Sequence, residues 1–120
     1  MHALIHLITK EKLSYEEIDE LMDPYYEEKI FVYDMDKDEY VEPDVYPQFS
    51  WDYYRIHDEV LWEKVEDCYI IMDCLDKRAI IRKWWNGRTH IDQTERFESY
   101  IKENRPKWKG CYMYEIDIHW

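Results

Sequence analysis

The stretch HALIHLIT, residues 2–9, decides the expected fold, because it is apolar yet too short for a buried helix and so predicts a β-strand. The closing stretch CYMYEIDIHW, residues 111–120, predicts a second strand, in which apolar and polar side chains alternate. Successive side chains of a strand point to opposite faces of its sheet. One face of the two strands is therefore mainly apolar, and the polar residues of the other face are His2, His6, Glu115, Asp117 and His119.

Two helices are predicted between these strands. Ser14 begins the first, and Glu17 completes a capping box, in which each side chain satisfies a free backbone N–H. Asp92 or Thr94 caps the second helix, which runs through Asn104. Apolar side chains recur at helical spacing in both, so each helix is expected to pack one side on a sheet.

The middle of the chain predicts several more strands. Residues 29–33 and 49–56 are short strands, and residues 68–73 and 79–85 form a hairpin around a polar turn. The order strand, helix, several strands, helix and strand is typical of an α+β sandwich. Residues 1–120 are therefore predicted to form a single α+β domain, a ferredoxin-like sandwich with an antiparallel sheet and two helices on one face.

Length and composition indicate a soluble, unexported protein. The 120 residues contain no apolar run near the roughly 20 residues that a membrane-spanning helix needs. The first residues also lack the basic flank and the small-residue cleavage site of a secretory signal. Three cysteines without CxxC spacing argue against a disulfide framework or a zinc ribbon, and they predict reduced thiols.

Charge is distributed unevenly along the chain. Residues 1–60 carry five basic and seventeen acidic side chains, a net charge of −12, whereas residues 61–120 carry eleven of each. An acidic half repels nucleic acid and acidic membrane surfaces, and it attracts basic grooves. The expected partner is therefore a basic groove on another protein, and neither a nucleic acid nor a membrane is expected to bind directly.

The most acidic stretch, residues 34–44, is the predicted partner-binding segment. It resembles the start of a calcium loop, but Glu39 and Val45 stand where such a loop needs Gly and a bidentate Glu. In an extended segment, alternate carboxylates lie roughly 6–7 Å apart on one side, which resembles a row of backbone phosphates. A solvated acidic connection is the alternative interpretation. The residues predicted to bind the partner are Asp34, Asp36, Asp38, Glu39, Tyr40, Glu42, Asp44 and Tyr46.

The two terminal strands also predict a metal site. If they are antiparallel neighbours, they bring together His2, His6, Asp117 and His119, with Glu115 as an alternative carboxylate. Imidazole and carboxylate ligands suit zinc, and also iron or manganese. The alternative hypothesis for the function is therefore a metal-dependent hydrolase, acting on phosphodiesters, whose metal activates water. The simpler interpretation is that these are ordinary polar residues near the chain ends.

A basic cluster lies beside two tryptophans in the second half of the chain. Its residues are Lys77, Arg78, Arg82, Lys83 and Arg88, next to Trp84 and Trp85. Aromatic and basic side chains together are typical of single-strand nucleic-acid binding, although the net charge opposes it. Pairing with the acidic half, within one chain or between subunits of a homo-oligomer, explains the cluster equally well. The chain has no GxSxG turn and no glycine-rich phosphate loop, so nucleophilic and nucleotide-dependent catalysis find no support.

Four stretches resemble a group of small, uncharacterised proteins commonly encoded by bacteriophages. MHALIHLIT, EEIDELMDPY, YPQFSWDYYRI and EIDIHW are similar to the group's His-containing first strand, acidic helix, WDWY-type motif and terminal Asp-x-His. In that group Gly-Gly-Arg-Trp usually follows the WDWY motif, whereas this chain has His57, Asp58, Glu59 and Val60. The resemblance implies a phage origin and a bacterial host, and it implies no particular activity.

One leading hypothesis combines the charge with the resemblance. The chain is predicted to be a non-enzymatic binding protein without a cofactor, acting in the cytoplasm of the bacterial host. Its acidic half would occupy a basic groove on a host defence or nucleic-acid-handling protein and inhibit it, partly by imitating the charge of a nucleic acid.

Overall fold

The computed structural model describes residues 1–26, 32–41, 49–59, 62–85 and 89–120. In these residues the strands and helices are β1 (His2–Thr9), α1 (Tyr15–Met22), β2 (Val32–Asp34), β3 (Glu39–Val41), β4 (Tyr53–Glu59), β5 (Ile70–Asp73), β6 (Arg78–Ile81), β7 (Lys83–Trp85), β8 (His90–Asp92), α2 (Thr94–Asn104) and β9 (Tyr112–His119). Single turns of 3₁₀ helix lie at Asp23–Tyr25 and Trp62–Lys64. The strands predicted at both termini are confirmed.

The central sheet has five strands in the order β4, β9, β1, β5, β6. β9 pairs antiparallel with β1 and with β4, and β5 pairs antiparallel with β6. β1 and β5 run parallel, with Ile5 opposite Ile70 and Ile8 opposite Asp73. Parallel neighbours need a long crossover, which the residues between β1 and β5 supply. The α+β class is confirmed, the prediction of a purely antiparallel sheet is wrong, and a ferredoxin-like topology is not confirmed.

The two helices pack on opposite faces of this sheet. Ile18 of α1 shares a hydrophobic core with Ile5 and Leu7 of β1, whereas α2 shares a second core with Ile8. Leu7 and Ile8 are neighbours in one strand, so their side chains point to opposite faces. The prediction of both helices on one face is therefore wrong. We call the side with Ile5 and Leu7 the α1 face and the side with His6 and Ile8 the α2 face.

The composition of β1 explains this difference. Leu7 and Ile8 are both completely buried, each under a different helix. A strand that is covered on both faces reads as a continuous apolar run, and such a run does not tell which face each helix covers. The buried residues of the α2 core are Ile8, Val65, Cys68, Ile71, Phe97, Tyr100, Ile101, Trp108 and Met113.

Ser14 caps α1 as predicted, whereas the N-cap of α2 is Gln93 and not Asp92 or Thr94, although α2 begins at Thr94. The Ser14 hydroxyl accepts the backbone N–H of Glu17 at 3.2 Å, and the Glu17 carboxylate accepts the backbone N–H of Ser14 at 3.1 Å. Pro24 follows in the 3₁₀ turn after α1. At the start of α2, the Asp92 carboxylate accepts hydrogen bonds from the backbone N–H and the hydroxyl of Thr94. These local signals explain why the two helix starts could be predicted.

Two small hairpins accompany the central sheet. β2 pairs with β3 around a turn at residues 35–38, and β7 pairs with β8. The hairpin predicted for residues 68–73 and 79–85 is confirmed in its first part, where β5 and β6 pair. Its second part is wrong, because β7 leaves the central sheet to pair with β8.

Candidate functional site

Four of the five histidines in the chain lie on the α2 face, each within hydrogen-bond distance of a carboxylate. β1 and β9 place His2 opposite His119 and His6 opposite Glu115, and β4 places His57 opposite Glu115. The predicted antiparallel pairing and the predicted shared face are confirmed by this register. We call this set the His strip, and it comprises His2, His6, Asp52, His57, Glu115, Asp117 and His119.

The buried end of the His strip is centred on Glu115. His6 is completely buried, and its Nδ1 donates to the carbonyl oxygen of Val65 at 2.7 Å, because a carbonyl can only accept. Its Nε2 lies 3.0 Å from Oε2 of Glu115, and Nδ1 of His57 lies 2.9 Å from Oε1. Burial would raise the pKa of Glu115, but the hydrogen bonds from His57 and His6 outweigh it and hold the pKa below its ordinary value.

The exposed end of the His strip consists of two imidazole–carboxylate pairs in contact. Nδ1 of His2 lies 3.0 Å from Oδ1 of Asp117, and Nδ1 of His119 lies 2.7 Å from Oδ1 of Asp52. The two imidazole rings meet edge to face, with their centroids 4.8 Å apart. Tyr53 stacks on His119 at 4.5 Å. An ionised carboxylate can only accept, so Nδ1 of His119 donates to Asp52, and this hydrogen bond lowers the pKa of the Asp52 carboxyl.

The predicted metal ligands are divided between these contacts. His2 pairs with Asp117, whereas His6 pairs with Glu115 and His119 pairs with Asp52. Among the residues that the structure describes, no three His, Cys, Asp or Glu side chains are grouped so that they could hold a metal ion. A metal role for His2, His6, Asp117 and His119 stays a prediction.

Two members of the His strip were not among the predicted site residues. His57 and Asp52 reach the strip because β4 lies at the edge of the sheet beside β9. Their sequence neighbourhood, WDYYRIH, predicts a strand but contains nothing that identifies its neighbour. The alternation that places Tyr53, Arg55 and His57 on one side of a strand was the available signal.

The predicted partner-binding residues are described in part. Asp36 and Asp38 are exposed at the turn between β2 and β3, where Asp38 adopts a left-handed φ of 53°, and Glu39 is exposed at the start of β3. This turn shows that an extended row of carboxylates is wrong for residues 35–38. Asp34 and Tyr40 lie in the two strands of the hairpin, and their side chains are outside the described set. Glu42, Asp44 and Tyr46 lie outside the described residues altogether.

A further group of carboxylates lies on α1. Because Ile18 and Met22 bury the apolar side of this helix, its acidic side chains lie on the solvent-exposed surface, and one of them, Asp19, accepts a hydrogen bond from the Tyr54 hydroxyl of β4. The exposed acidic residues of α1 and its end are Glu16, Glu17, Asp19, Glu20 and Asp23. None of these residues belongs to the predicted partner-binding set.

Basic side chains of the second half pair with carboxylates of the same half. Arg82 lies 3.5 Å from Glu98, and Lys83 lies 3.7 Å from Asp92. The guanidinium of Arg82 also lies over the ring of Phe97 at 4.4 Å. Among the described residues, Arg82 and Lys83 therefore pair within the second half, and pairing of the basic cluster with the acidic half stays a prediction.

Comparison with known proteins adds no family to this description. No protein-family model matches the chain, and no curated protein or solved structure is significantly similar to it. The resemblance to the bacteriophage group stays a prediction. No helix in the described part of the chain has both the length and the apolar character needed to cross a membrane.

Proposed function

We propose that this chain is a phage-type acidic binding protein that inhibits a host defence or nucleic-acid-handling protein. Its acidic first half would occupy a basic groove and partly imitate the charge of a nucleic acid. The observation that carries the proposal is the segregation of charge, with a net −12 in residues 1–60 and none in residues 61–120. Segregated charge speeds association with an oppositely charged partner and selects against like-charged ones.

The geometry of α1 supports this proposal. Glu16, Glu20 and Asp23 are spaced four and three residues apart, so they follow one line along the helix surface. Neighbours on such a line have Cβ atoms about 5–6 Å apart. A regular row of exposed negative charge on a capped helix is the kind of surface that a groove lined by Lys and Arg can accept.

The pairing of basic side chains in the second half also supports the proposal. Arg82, Arg105 and Lys107 pair with Glu98, Glu66 and Asp73. These three cations are engaged within their own half of the chain. Their charge therefore does not neutralise the carboxylates of α1 locally.

The proposal is tested with charge-reversal variants and a matched control. A partner is captured from lysate of a bacterial host, purified, and titrated with the full chain at several salt concentrations. Glu16→Lys/Glu20→Lys should weaken binding by about tenfold or more, since it replaces attraction by repulsion at the centre of the row. Glu63→Lys/Glu103→Lys makes the same charge change on exposed residues of the neutral half and should stay near the wild-type affinity.

Salt and competition provide the second readout. Binding should weaken steeply as ionic strength rises, since exposed charges are screened over a Debye length of about 8–10 Å near physiological salt. A duplex oligonucleotide should compete for the same groove. The proposed mode of binding is wrong if the affinity for the partner is unchanged by salt, by the competing oligonucleotide and by Glu16→Lys/Glu20→Lys.

A further inference from the structure

At the exposed end of the His strip, two imidazole rings are each oriented by a carboxylate. In both His2 and His119, Nδ1 faces a carboxylate oxygen, at 3.0 Å and 2.7 Å. A carboxylate partner at Nδ1 fixes the ring orientation and leaves Nε2 as the atom that exchanges a proton with a bound molecule. The structure gives neither Nε2 a hydrogen-bond partner among the described residues.

The imidazole rings of His2 and His119 lie next to each other. Their centroids are 4.8 Å apart, so both Nε2 atoms are within reach of one small group bound at the strand ends. The side chain of His2 is 56% exposed and that of His119 is 29% exposed, which leaves this end of the strip open to a ligand. One imidazole can accept a proton while the other donates one, which is the requirement for concerted acid–base catalysis.

We infer that His2 and His119 form a metal-independent acid–base pair that cleaves a ribonucleotide phosphodiester. The 2′-hydroxyl oxygen attacks phosphorus, and its proton passes to Nε2 of one imidazole. The bond from phosphorus to the 5′ oxygen breaks, and that oxygen takes a proton from Nε2 of the other imidazole. The products are a 2′,3′-cyclic phosphate and a 5′-hydroxyl, so no water, metal, oxidant or reductant is consumed.

Neighbouring side chains on the α2 face fit a ribonucleotide. Tyr53 stacks on His119 while 55% of its own surface remains exposed, so a base can stack on it. Arg55 is exposed two residues further along β4, opposite Asp117, and can pair with a phosphate. The acidic helix α1 lies on the opposite face of the sheet, which places its negative charge away from this site.

Asp52 and Asp117 are positioning residues in this reaction. Each acts through an imidazole, by holding one tautomer and by stabilising the ring when it is protonated. Asp52→Asn should therefore lower kcat while KM is retained, and it should change the pH dependence of kcat. A purely structural role for Asp52 would lower the amount of folded protein without changing the pH profile.

The experiment uses the full chain, EDTA and a short single-stranded oligoribonucleotide. We expect cleavage that yields 2′,3′-cyclic phosphate ends and a bell-shaped dependence of kcat/KM on pH. A matched oligonucleotide with 2′-deoxyribose at every position should not be cut. His2→Ala and His119→Ala should each lower the rate by about 100-fold or more. His90→Ala, which changes the histidine outside the strip, should cleave like the wild type, and circular dichroism checks that every variant is folded.

Three outcomes would overturn the inference. The first is a folded wild-type protein that leaves the ribonucleotide intact. The second is cleavage that His2→Ala and His119→Ala leave unchanged, which identifies a contaminating nuclease. The third is activity that EDTA abolishes and zinc or manganese restores, which favours the metal-dependent hydrolase. Glu16→Lys/Glu20→Lys should leave cleavage unchanged, so failure here and failure of the proposed binding function are distinguishable.

Discussion

The two ends of the α2 face hold their carboxylates in opposite ways. At the α2 end, Asp73 is completely buried and its oxygens accept hydrogen bonds from four donors. The donors are Tyr100 at 2.7 Å, Lys107 and the backbone of Leu75 at 3.0 Å, and Trp108 at 3.2 Å. Burial would raise the pKa of Asp73, but the hydrogen bonds outweigh it and lower the pKa. Because these four donors occupy the oxygens of Asp73, we assign this carboxylate a structural role.

At the other end of the α2 face, Asp52 and Asp117 are half-buried, and each carboxylate pairs with Nδ1 of one imidazole. The side chain of His2 is largely exposed and that of His119 is partly exposed, so both imidazoles remain accessible. The buried polar groups are satisfied at both ends, since every buried side-chain nitrogen and oxygen in the described residues has a hydrogen-bond partner. The difference lies in what remains available: nothing at Asp73, and two oriented imidazoles at the far end.

The largest effect is expected from Asp73→Asn. The substitution keeps the shape but removes the charge, and its amide nitrogen faces donors where an acceptor is needed. Lys107 also loses one of its two carboxylates. Breaking a buried ion pair costs about 3–5 kcal/mol, so the free energy of unfolding should fall by that order, measured by urea denaturation with tryptophan fluorescence.

Asp76→Asn is the matched control for this variant. Asp76 is the other partner of Lys107, at 2.5 Å, and its side chain is largely exposed. An exposed ion pair contributes about 0–1 kcal/mol, so the control should remain close to the wild type. Equal losses for both variants would mean that the buried network is no more important than the surface contact, and the contrast between the two ends would disappear.

The sequence predicted the parts of the fold that depend on local signals. The capping box at Ser14, the carboxylate before Thr94 and the alternation in β1 and β9 are each visible within about ten residues. The side of the sheet that each helix covers cannot be predicted from so short a stretch, because β1 has apolar side chains on both faces. Parallel pairing of β1 with β5 depends likewise on a crossover that no short stretch encodes.

In the candidate site too, local signals predicted some features, whereas others depend on long-range pairing. The shared face of His2, His6, Asp117 and His119 follows from period-two alternation once the terminal strands are neighbours. His57 and Asp52 could not be assigned to it, because the position of β4 beside β9 is a long-range pairing. The four donors to Asp73 come from the 73–75 turn, α2 and the segment after α2, and their convergence also depends on tertiary packing.

An intermediate effect is expected from Glu115→Leu. The substitution removes both carboxylate oxygens, so Nε2 of the completely buried His6 loses its hydrogen-bond partner, whereas the half-exposed His57 can bind water instead. An unsatisfied buried polar group costs about 1–3 kcal/mol, so the free energy of unfolding should fall within that range. Asp117→Asn, next to the half-exposed His2, is the control and should change it by less than about 0.5 kcal/mol. If Asp117→Asn lowers the free energy of unfolding more than the Glu115 variant does, then Asp117, and not Glu115, is the residue of the His strip that stabilises the fold.

The smallest effect on stability is expected at Asp52, where a titration is more informative than unfolding. The hydrogen bond from His119 should hold the pKa of the Asp52 carboxyl below 3.8, its ordinary value, and His119→Ala should move it up toward 3.8. Because the folded-state pKa is lowered, the stabilising contribution is present above pH 3.8 and is lost as pH falls through the folded-state value. NMR titration of the Asp52 side-chain carboxyl measures both values. An Asp52 pKa that His119→Ala leaves unchanged would show that this carboxylate does not hold the imidazole, and the exposed end of the strip would then lack its oriented acid–base pair.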